Sequence, residues 1–182
     1  MESSRFEKAI VEAQLGRELK NQFRVVKRCS WGYPQCIQSD LISNGKPFPT
    51  LFWLTCPFLY KEVSRLEEKG WVKKFEDQLE NSEEMLREYL RAHETTRKLK
   101  ESLLEGRDLK DWQKEALFNR GIGGIRNLKM VKCLHLQLAN FLGGIDNPIG
   151  KMVWEMLGSK ECVAGAVLCR SLEDNSGKNH FK

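Results

Sequence analysis

Cysteine and histidine side chains are the groups of this 182-residue chain best suited to chemistry, and Cys56 has the clearest local setting. It precedes Pro57, and proline is favoured at the first position of a helix because its missing N–H would have had no partner there. Cys56 is therefore predicted at the N-cap of a helix from Pro57 to Lys69, where unpaired N–H groups and the helix dipole favour a thiolate. The alternative is a small buried residue that ends a core strand, since free cysteine is among the most buried residue types.

Cys133 and His135 lie in a second chemically promising stretch, 120–135, which joins a glycine turn to a basic apolar segment. No acidic residue occurs from Ala116 to Ile145. We predict a helix from Asn127 to Leu142. Two residues that are two positions apart in a regular helix point about 200° away from each other. Cys133 and His135 are therefore not expected to bind one metal ion together.

Positive charge collects around the glycine turn 121–124. Successive N–H groups in such a turn can cradle an anion. The residues predicted to bind that anion are Arg126, Lys129, Lys132 and Asn147. The turn lacks the Lys-Ser/Thr ending of a phosphate loop and the spacing of a dinucleotide fingerprint, so the alternative is an ordinary connection between two helices.

His93 is a further candidate for proton transfer. It falls on the apolar edge of a long helix predicted to start near Ser82, with Glu94 beside it. A histidine on such a face is more often a hydrogen-bonded core residue than a catalyst. The predicted catalytic residues are Cys56, Cys133, His135 and His93, in which a thiol acts as nucleophile and a histidine moves the proton.

A metal site is the alternative function for the same side chains. Its predicted ligands are Cys56, Cys133, His135 and Cys29, which would have to converge from remote segments. The six cysteines include no Cys-x-x-Cys pair, which argues against a zinc ribbon. Zinc is compatible with the sequence but not favoured by it, and the sequence names no cofactor.

Composition and charge restrict the class of protein. With 41% hydrophobic and 30% charged residues, the chain is typical of a folded protein. We predict one globular domain over residues 1–170 and a polar, disordered tail over 171–182. The net charge of +5 permits an anionic small molecule as partner, whereas nucleic acid is not expected without a basic stripe or a recognition motif. Oligomeric state is left open.

The apolar stretches are too short to span a membrane, and no secretory signal is visible. We therefore predict a cytoplasmic protein without a membrane partner, whose cysteines are reduced.

The predicted fold is α+β, with a small N-terminal antiparallel sheet packed on a predominantly helical remainder. The strands are expected at Phe23–Val26, near Ile37 and at Thr50–Thr55, with a hairpin turn at Asn44-Gly45. Further helices are predicted to start near Asp108 and at Asn147-Pro148.

Six stretches together carry a resemblance. They are Pro47–Pro57, Ser64–Glu67 with Gly70, Ala92–Glu94, Gly121–Ile125, Val131–His135 and Asn147–Gly150. Over about residues 23–162 the chain resembles a bacterial family known only as domain of unknown function 501, and this resemblance implies no activity. It implies that recurring positions of the family are occupied here by Cys29, Cys56, His93, Lys132, Cys133, His135 and Asn147. Similar sequences often carry a histidine where this chain has Asn140, and an aliphatic residue where it has Cys36.

Three functions compete. The first is an enzyme or binding protein whose Cys/His site takes an anionic, phosphorylated small molecule. The second is a metal-binding protein, and the third is a non-catalytic module that docks a protein or RNA while its cysteines lie in the core. The distance of Cys56 from Cys133 and His135 tests the first two, which both fall if these groups lie far apart and are buried separately.

Overall fold

The structure, a computed structural model, describes residues 5–176. Within this range the elements follow in the order α1 (Arg5–Leu15), β1 (Phe23–Arg28), β2 (Pro34–Ser39), β3 (Ile42–Ser43), β4 (Lys46–Pro47), β5 (Phe52–Leu54), α2 (Pro57–Glu68), α3 (Trp71–Asn81), α4 (Glu83–Leu103), α5 (Asp111–Phe118), α6 (Leu134–Leu142), α7 (Pro148–Met156) and α8 (Leu168–Ser176). A 3-10 turn, Ile122–Gly124, lies between α5 and α6. All strands precede α2, so the α+β prediction is confirmed.

The main sheet has the order β1-β2-β5, and both pairings are antiparallel. Every residue of the central strand β2 is buried, because both of its faces are covered. On one face Ile37 packs with Val11 of α1 and Phe23 of β1. On the other face Cys36 Sγ lies 3.4 Å from the carbonyl oxygen of Ala139 in α6. Cys36 is thus a core residue.

A separate two-stranded hairpin is formed by β3 and β4. Its turn residues Asn44 and Gly45 have φ values of 49° and 73°. Asn and Gly tolerate this left-handed conformation better than other residues, which is why the pair predicts a hairpin correctly.

Helix α6 is the central helix of the larger core. It packs on β5 and β2, on α2 and on α7. Leu134, Leu138 and Ala139 are almost completely buried between these elements. Burying a leucine side chain contributes about 1.5–3 kcal/mol, so the position of α6 is firmly held. The rest of the molecule therefore fixes where its first residues lie.

Two helices begin where the sequence predicts. Cys56 is the N-cap of α2 with Pro57 at its first position, and Asn147 is the N-cap of α7 with Pro148 next. The Asn147 side chain accepts a hydrogen bond from the Gly150 N–H at 3.0 Å.

The predicted helix from Asn127 to Leu142 is wrong in its first half, because α6 begins only at Leu134. Lys132 has a φ of 68°, which no α-helix accommodates. The backbone of the preceding loop finds side-chain partners instead of helical ones: Val131 N–H donates to Glu76 Oε1 at 3.0 Å. Tyr89 Oη donates to the Met130 carbonyl at 3.0 Å. Tertiary contacts thus replace the first turns of the expected helix.

The helix predicted to start near Asp108 begins at Asp111, with Lys110 as its N-cap. At the other end of the chain, α8 packs on α1 and continues to Ser176, into the segment that the sequence assigns to a polar tail. Residues 177–182 lie outside the described range.

A buried polar network joins α4, α6 and α7. Asn147 Nδ2 donates to Gln137 Oε1 at 2.8 Å and to Asn140 Oδ1 at 3.1 Å. Asn140 Nδ2 donates in turn to Thr96 Oγ1 at 2.9 Å, and Gln137 Nε2 donates to Tyr89 Oη at 2.8 Å. The position at which similar sequences carry a histidine is therefore a core position in this chain. Asn147, a predicted ligand-binding residue, is fully buried and holds the start of α7.

Candidate functional site

Glu67, Cys133 and His135 come together at the start of α6. One potential ligand atom of each lies within 4.8 Å of the others, and no other group of three His, Cys, Asp or Glu side chains in residues 5–176 meets this distance. Glu67 comes from the last turn of α2, Cys133 is the N-cap of α6, and His135 is the second residue of that helix. All three are partly exposed, so the group is open to solvent.

Both ring nitrogens of His135 have polar neighbours. Nε2 lies 3.0 Å from the Tyr60 carbonyl oxygen and 3.3 Å from Ser64 Oγ. Because a carbonyl oxygen only accepts, Nε2 carries a proton. A neutral ring then presents a lone pair at Nδ1, which lies 3.1 Å from Glu67 Oε1, itself an acceptor. This contact is favourable only when a proton or a metal cation lies between the two atoms.

The Glu67 carboxylate is oriented by the backbone of α6. Its Oε1 accepts a hydrogen bond from the Leu134 N–H at 2.5 Å. That amide is the first of α6 and has no partner within the helix. Glu67 therefore caps α6 from outside while it faces His135 and Cys133.

The thiol of Cys133 lies where α6 begins. The N–H groups of His135 and Leu136 favour the thiolate, although neither closes a hydrogen bond with the sulfur, and the charge of Lys132 acts in the same direction. Burial of the sulfur has the largest effect and raises the pKa of the thiol, and the negative charge of Glu67 raises it further. The pKa of the Cys133 thiol is therefore raised.

The expected divergence of Cys133 and His135 is wrong for the same reason as the expected helix. Cys133 has φ −153° and ψ 152°, an extended backbone conformation outside α6. The 100° rotation per residue of a helix does not apply between them. The two side chains can therefore lie on the same side and meet Glu67.

Cys56 does not belong to this group. It caps the opposite end of α2 from Glu67, and eleven residues of helix span about 16 Å along the axis. Cys56 as a residue is 5% exposed, and burial raises the pKa of its thiol to about 11. The thiols close enough to influence it electrostatically are Cys162 and Cys169. The hypotheses that require Cys56 beside Cys133 and His135 thereby lose their basis.

Cys29, the fourth predicted metal ligand, lies after β1 and influences Cys169 rather than the α6 group. All six cysteines are free thiols. The structure therefore brings together two of the four predicted ligands, Cys133 and His135.

His93 is a buried histidine of α4 with 2% of its surface exposed. Its Nδ1 accepts a hydrogen bond from the Ile122 N–H at 2.9 Å. Burial, assisted by the positive charge of Lys100, lowers its pKa to about 4. His93 is thus a neutral ring in the interior and is not a member of the group at the start of α6, and catalysis by it stays a prediction.

The basic residues predicted to bind an anion occupy different places. Arg126 and Lys129 are exposed in the loop before α6. Lys132 donates from Nζ to the Gly123 carbonyl at 3.1 Å. The N–H groups of the glycine turn are largely used within the molecule, since those of Gly121, Gly124 and Ile125 bond to carbonyls of the same turn. The turn therefore offers little backbone to an anion.

Glu67 is the member of the site that the sequence did not single out. It stands in a run of mixed charges from which a solvated helix face is the ordinary expectation. One signal was available. Ser64–Glu67 carries the family resemblance, and so does the stretch Val131–His135, which contains Cys133 and His135. Ser64 and Tyr60, which contact His135, lie on the same face of α2 one turn apart.

The sequence model of the family described as "Protein of unknown function (DUF501)" matches residues 25–155, which include Glu67, Cys133 and His135 but not Cys162 or Cys169. No curated protein and no solved structure matches the chain. Within the described residues, no helix has the length and apolar character needed to cross a membrane.

Proposed function

The chain belongs to the DUF501 family, whose description assigns no activity, and from the site itself we propose that the protein binds one divalent metal ion of the zinc class through Glu67, Cys133 and His135. The observation that carries the proposal is the convergence of Glu67, Cys133 and His135, whose ligand atoms lie within 4.8 Å of one another, with His135 Nδ1 in contact with Glu67 Oε1 at 3.1 Å. A cation between them converts this contact into two favourable bonds.

The donor set suits zinc. One thiolate, one imidazole and one carboxylate are each common zinc ligands. Nitrogen and oxygen ligands about 2.1 Å from a tetrahedral ion lie about 3.4 Å from each other, close to the observed contact. A thiolate and a carboxylate together supply two negative charges, which a divalent ion neutralises.

The surroundings of His135 match those of a metal ligand. Metal-bound histidines almost always donate their other ring N–H to a carbonyl or a carboxylate, which fixes the ring and its tautomer. The Tyr60 carbonyl does this for His135 at 3.0 Å. The Tyr60 ring also packs on the imidazole, with the two ring centroids 4.2 Å apart.

Three protein ligands leave the fourth position of a tetrahedral ion free. A closed structural zinc site normally has four protein ligands, whereas a site with three keeps a position for water or a substrate group. The proposed centre is therefore one that can bind or activate a further small molecule.

Metal content tests this proposal directly. Protein purified after expression with added zinc, or refilled from the metal-free state, is expected to hold about one zinc ion per chain, as for a single structural or catalytic site. Cys133→Ser and His135→Gln should each lose most of this metal, whereas the matched control Cys56→Ser should keep it. Circular dichroism checks that each variant is folded.

Two results would overturn the proposal. One is a wild-type protein that takes up no stoichiometric zinc, cobalt, nickel or iron. The other is an equal loss of metal in Cys56→Ser and Cys133→Ser, which would assign the metal to a different group of thiols. Cobalt substitution gives a second readout, because sulfur-to-cobalt absorption should be present in wild type and absent in folded Cys133→Ser.

A further inference from the structure

A cavity of about 220 Å³ lies between α4, the end of α5 and the loop that follows it. Leu90, Phe118 and Leu128 form its apolar side. His93 and the arginines Arg97, Arg120 and Arg126 also line it. It shares no residue with the group at the start of α6.

His93, which is one of the residues that line this cavity, carries an unused hydrogen-bond donor. Since Nδ1 accepts the Ile122 N–H at 2.9 Å, the proton of the neutral ring is on Nε2. Nε2 is buried and has no hydrogen-bond partner among the described residues. Buried polar groups nearly always have a partner, so an unused donor in a side chain only 2% exposed points to a missing acceptor.

The arginines around the cavity are also suited to bind an anion. Arg97 is ion-paired with Glu94 and Glu101 of its own helix. Arg120 and Arg126 take part in no ion pair within residues 5–176, and Glu94 is the acidic residue that lines the cavity. Two guanidinium groups are thus left without a carboxylate partner.

The His93 ring is held in place rather than adjustable. Gly121 packs so closely on it that a Cβ at this position would lie 2.0 Å from Nδ1. Lys100, which is fully buried, donates to the carbonyl oxygens of Leu117 and Gly121 at 3.4 and 3.3 Å and ties the loop to α4. The donor direction at Nε2 is therefore built into the fold.

We propose that this cavity binds an oxyanion group, a phosphate or a carboxylate, through Arg120, Arg126 and the Nε2–H of His93. Such groups accept several charge-assisted hydrogen bonds from arginine at once. The cavity volume of about 220 Å³ fits the anionic end of a small molecule. The proposal does not depend on the metal site.

Titration of metal-free protein with inorganic phosphate, and separately with acetate, tests this at constant ionic strength in the presence of EDTA. Nuclear magnetic resonance follows the Ile122 amide and the His93 Nε2–H. Both are expected to shift with a saturable dependence on one of the anions. Saturation with phosphate alone identifies a phosphoryl ligand, and saturation with acetate alone identifies a carboxylate.

Two double variants separate this site from general attraction to a basic protein. Arg120→Gln with Arg126→Gln should weaken binding by about tenfold or more, which corresponds to the loss of net hydrogen bonds to charged groups. Lys61→Gln with Lys114→Gln removes the same charge from exposed positions that do not line the cavity, and should leave the dissociation constant unchanged.

The proposal is overturned if neither anion gives saturable shifts, or if both double variants weaken binding equally. An Nε2–H resonance that no anion moves would instead assign this donor to the Tyr89 ring, whose centroid lies 4.5 Å from that of His93.

Discussion

The starts of α2 and α6 are alike in local structure and different in surroundings. Cys56 and Cys133 are both N-cap residues with extended backbone, and neither sulfur closes a cap hydrogen bond. Around Cys56 the neighbours are apolar core and other thiols. Around Cys133 they are a carboxylate, an imidazole and a lysine. A helix N-terminus by itself therefore does not make a cysteine chemically active, because burial raises the pKa of both thiols.

The largest expected effect concerns the affinity of the group at the start of α6 for zinc. Glu67→Gln should weaken zinc binding by at least about a hundredfold, since the substitution of outer partners alone costs 10–100-fold. Glu62→Gln is the matched control on the same helix, where Glu62 pairs with Arg65 instead. Competition with a chromophoric chelator measures both affinities. Equal affinities would remove Glu67 from the site.

The second effect concerns stability at high pH. The pKa of Cys56 is about 11 in the folded protein against about 9 for a free thiol. Above pH 9 the unfolded chain ionises first, so the stability contributed by neutral Cys56 is present below pH 9 and is lost as the pH rises to 11. Two pH units correspond to about 3 kcal/mol. Urea denaturation should therefore show that the free energy of unfolding falls less between pH 8 and pH 11 in Cys56→Ala than in wild type.

If the free energy of unfolding falls equally steeply with pH in wild type and in Cys56→Ala, burial does not hold the Cys56 thiol neutral. Cys133→Ala serves as the comparison variant. Its partly exposed thiol is expected to change this slope less than Cys56 does.

The third effect is the rate of alkylation. In metal-free protein at pH 8, Cys133 should react with iodoacetamide faster than Cys56, because Cys133 is partly exposed whereas Cys56 is buried, and alkylation requires access to the sulfur. Zinc should protect Cys133 and leave Cys56 unaffected. Peptide mass spectrometry assigns the modified residue. Faster labelling of Cys56 would reverse the comparison of the two helix starts.

The smallest effect probes the support of His135. Ser64→Ala removes the hydroxyl 3.3 Å from Nε2 but keeps the Tyr60 carbonyl at 3.0 Å. Zinc affinity should fall by about tenfold or less, as is usual for an outer partner. Isothermal titration calorimetry measures the change. A loss as large as that in Glu67→Gln would show that Ser64, rather than the carbonyl, sets the ring tautomer.

Local patterns predicted many of the elements correctly. The Asn44-Gly45 hairpin and the helix starts at Pro57 and Pro148 depend on backbone preferences of single residues, which act in any surroundings. The helix from Asn127 was wrong because Val131 and Leu134 direct their N–H groups to Glu76 and Glu67, carboxylates more than fifty positions earlier in the chain. Local propensity carries no information about such partners.

At the candidate site, too, some features follow from the local sequence and others only from tertiary contacts. Sequence alone determined that Cys56 caps a helix, since this statement concerns neighbours along the chain, but it placed the side chains of Cys133 and His135 on opposite sides of a helix. Only the tertiary structure decided that Glu67 joins Cys133 and His135 while Cys56 does not. The last turn of α2, which carries Glu67, lies against the start of α6, and the packing of whole helices sets that arrangement. A side chain in a run of ordinary surface charges becomes part of a site through this packing alone.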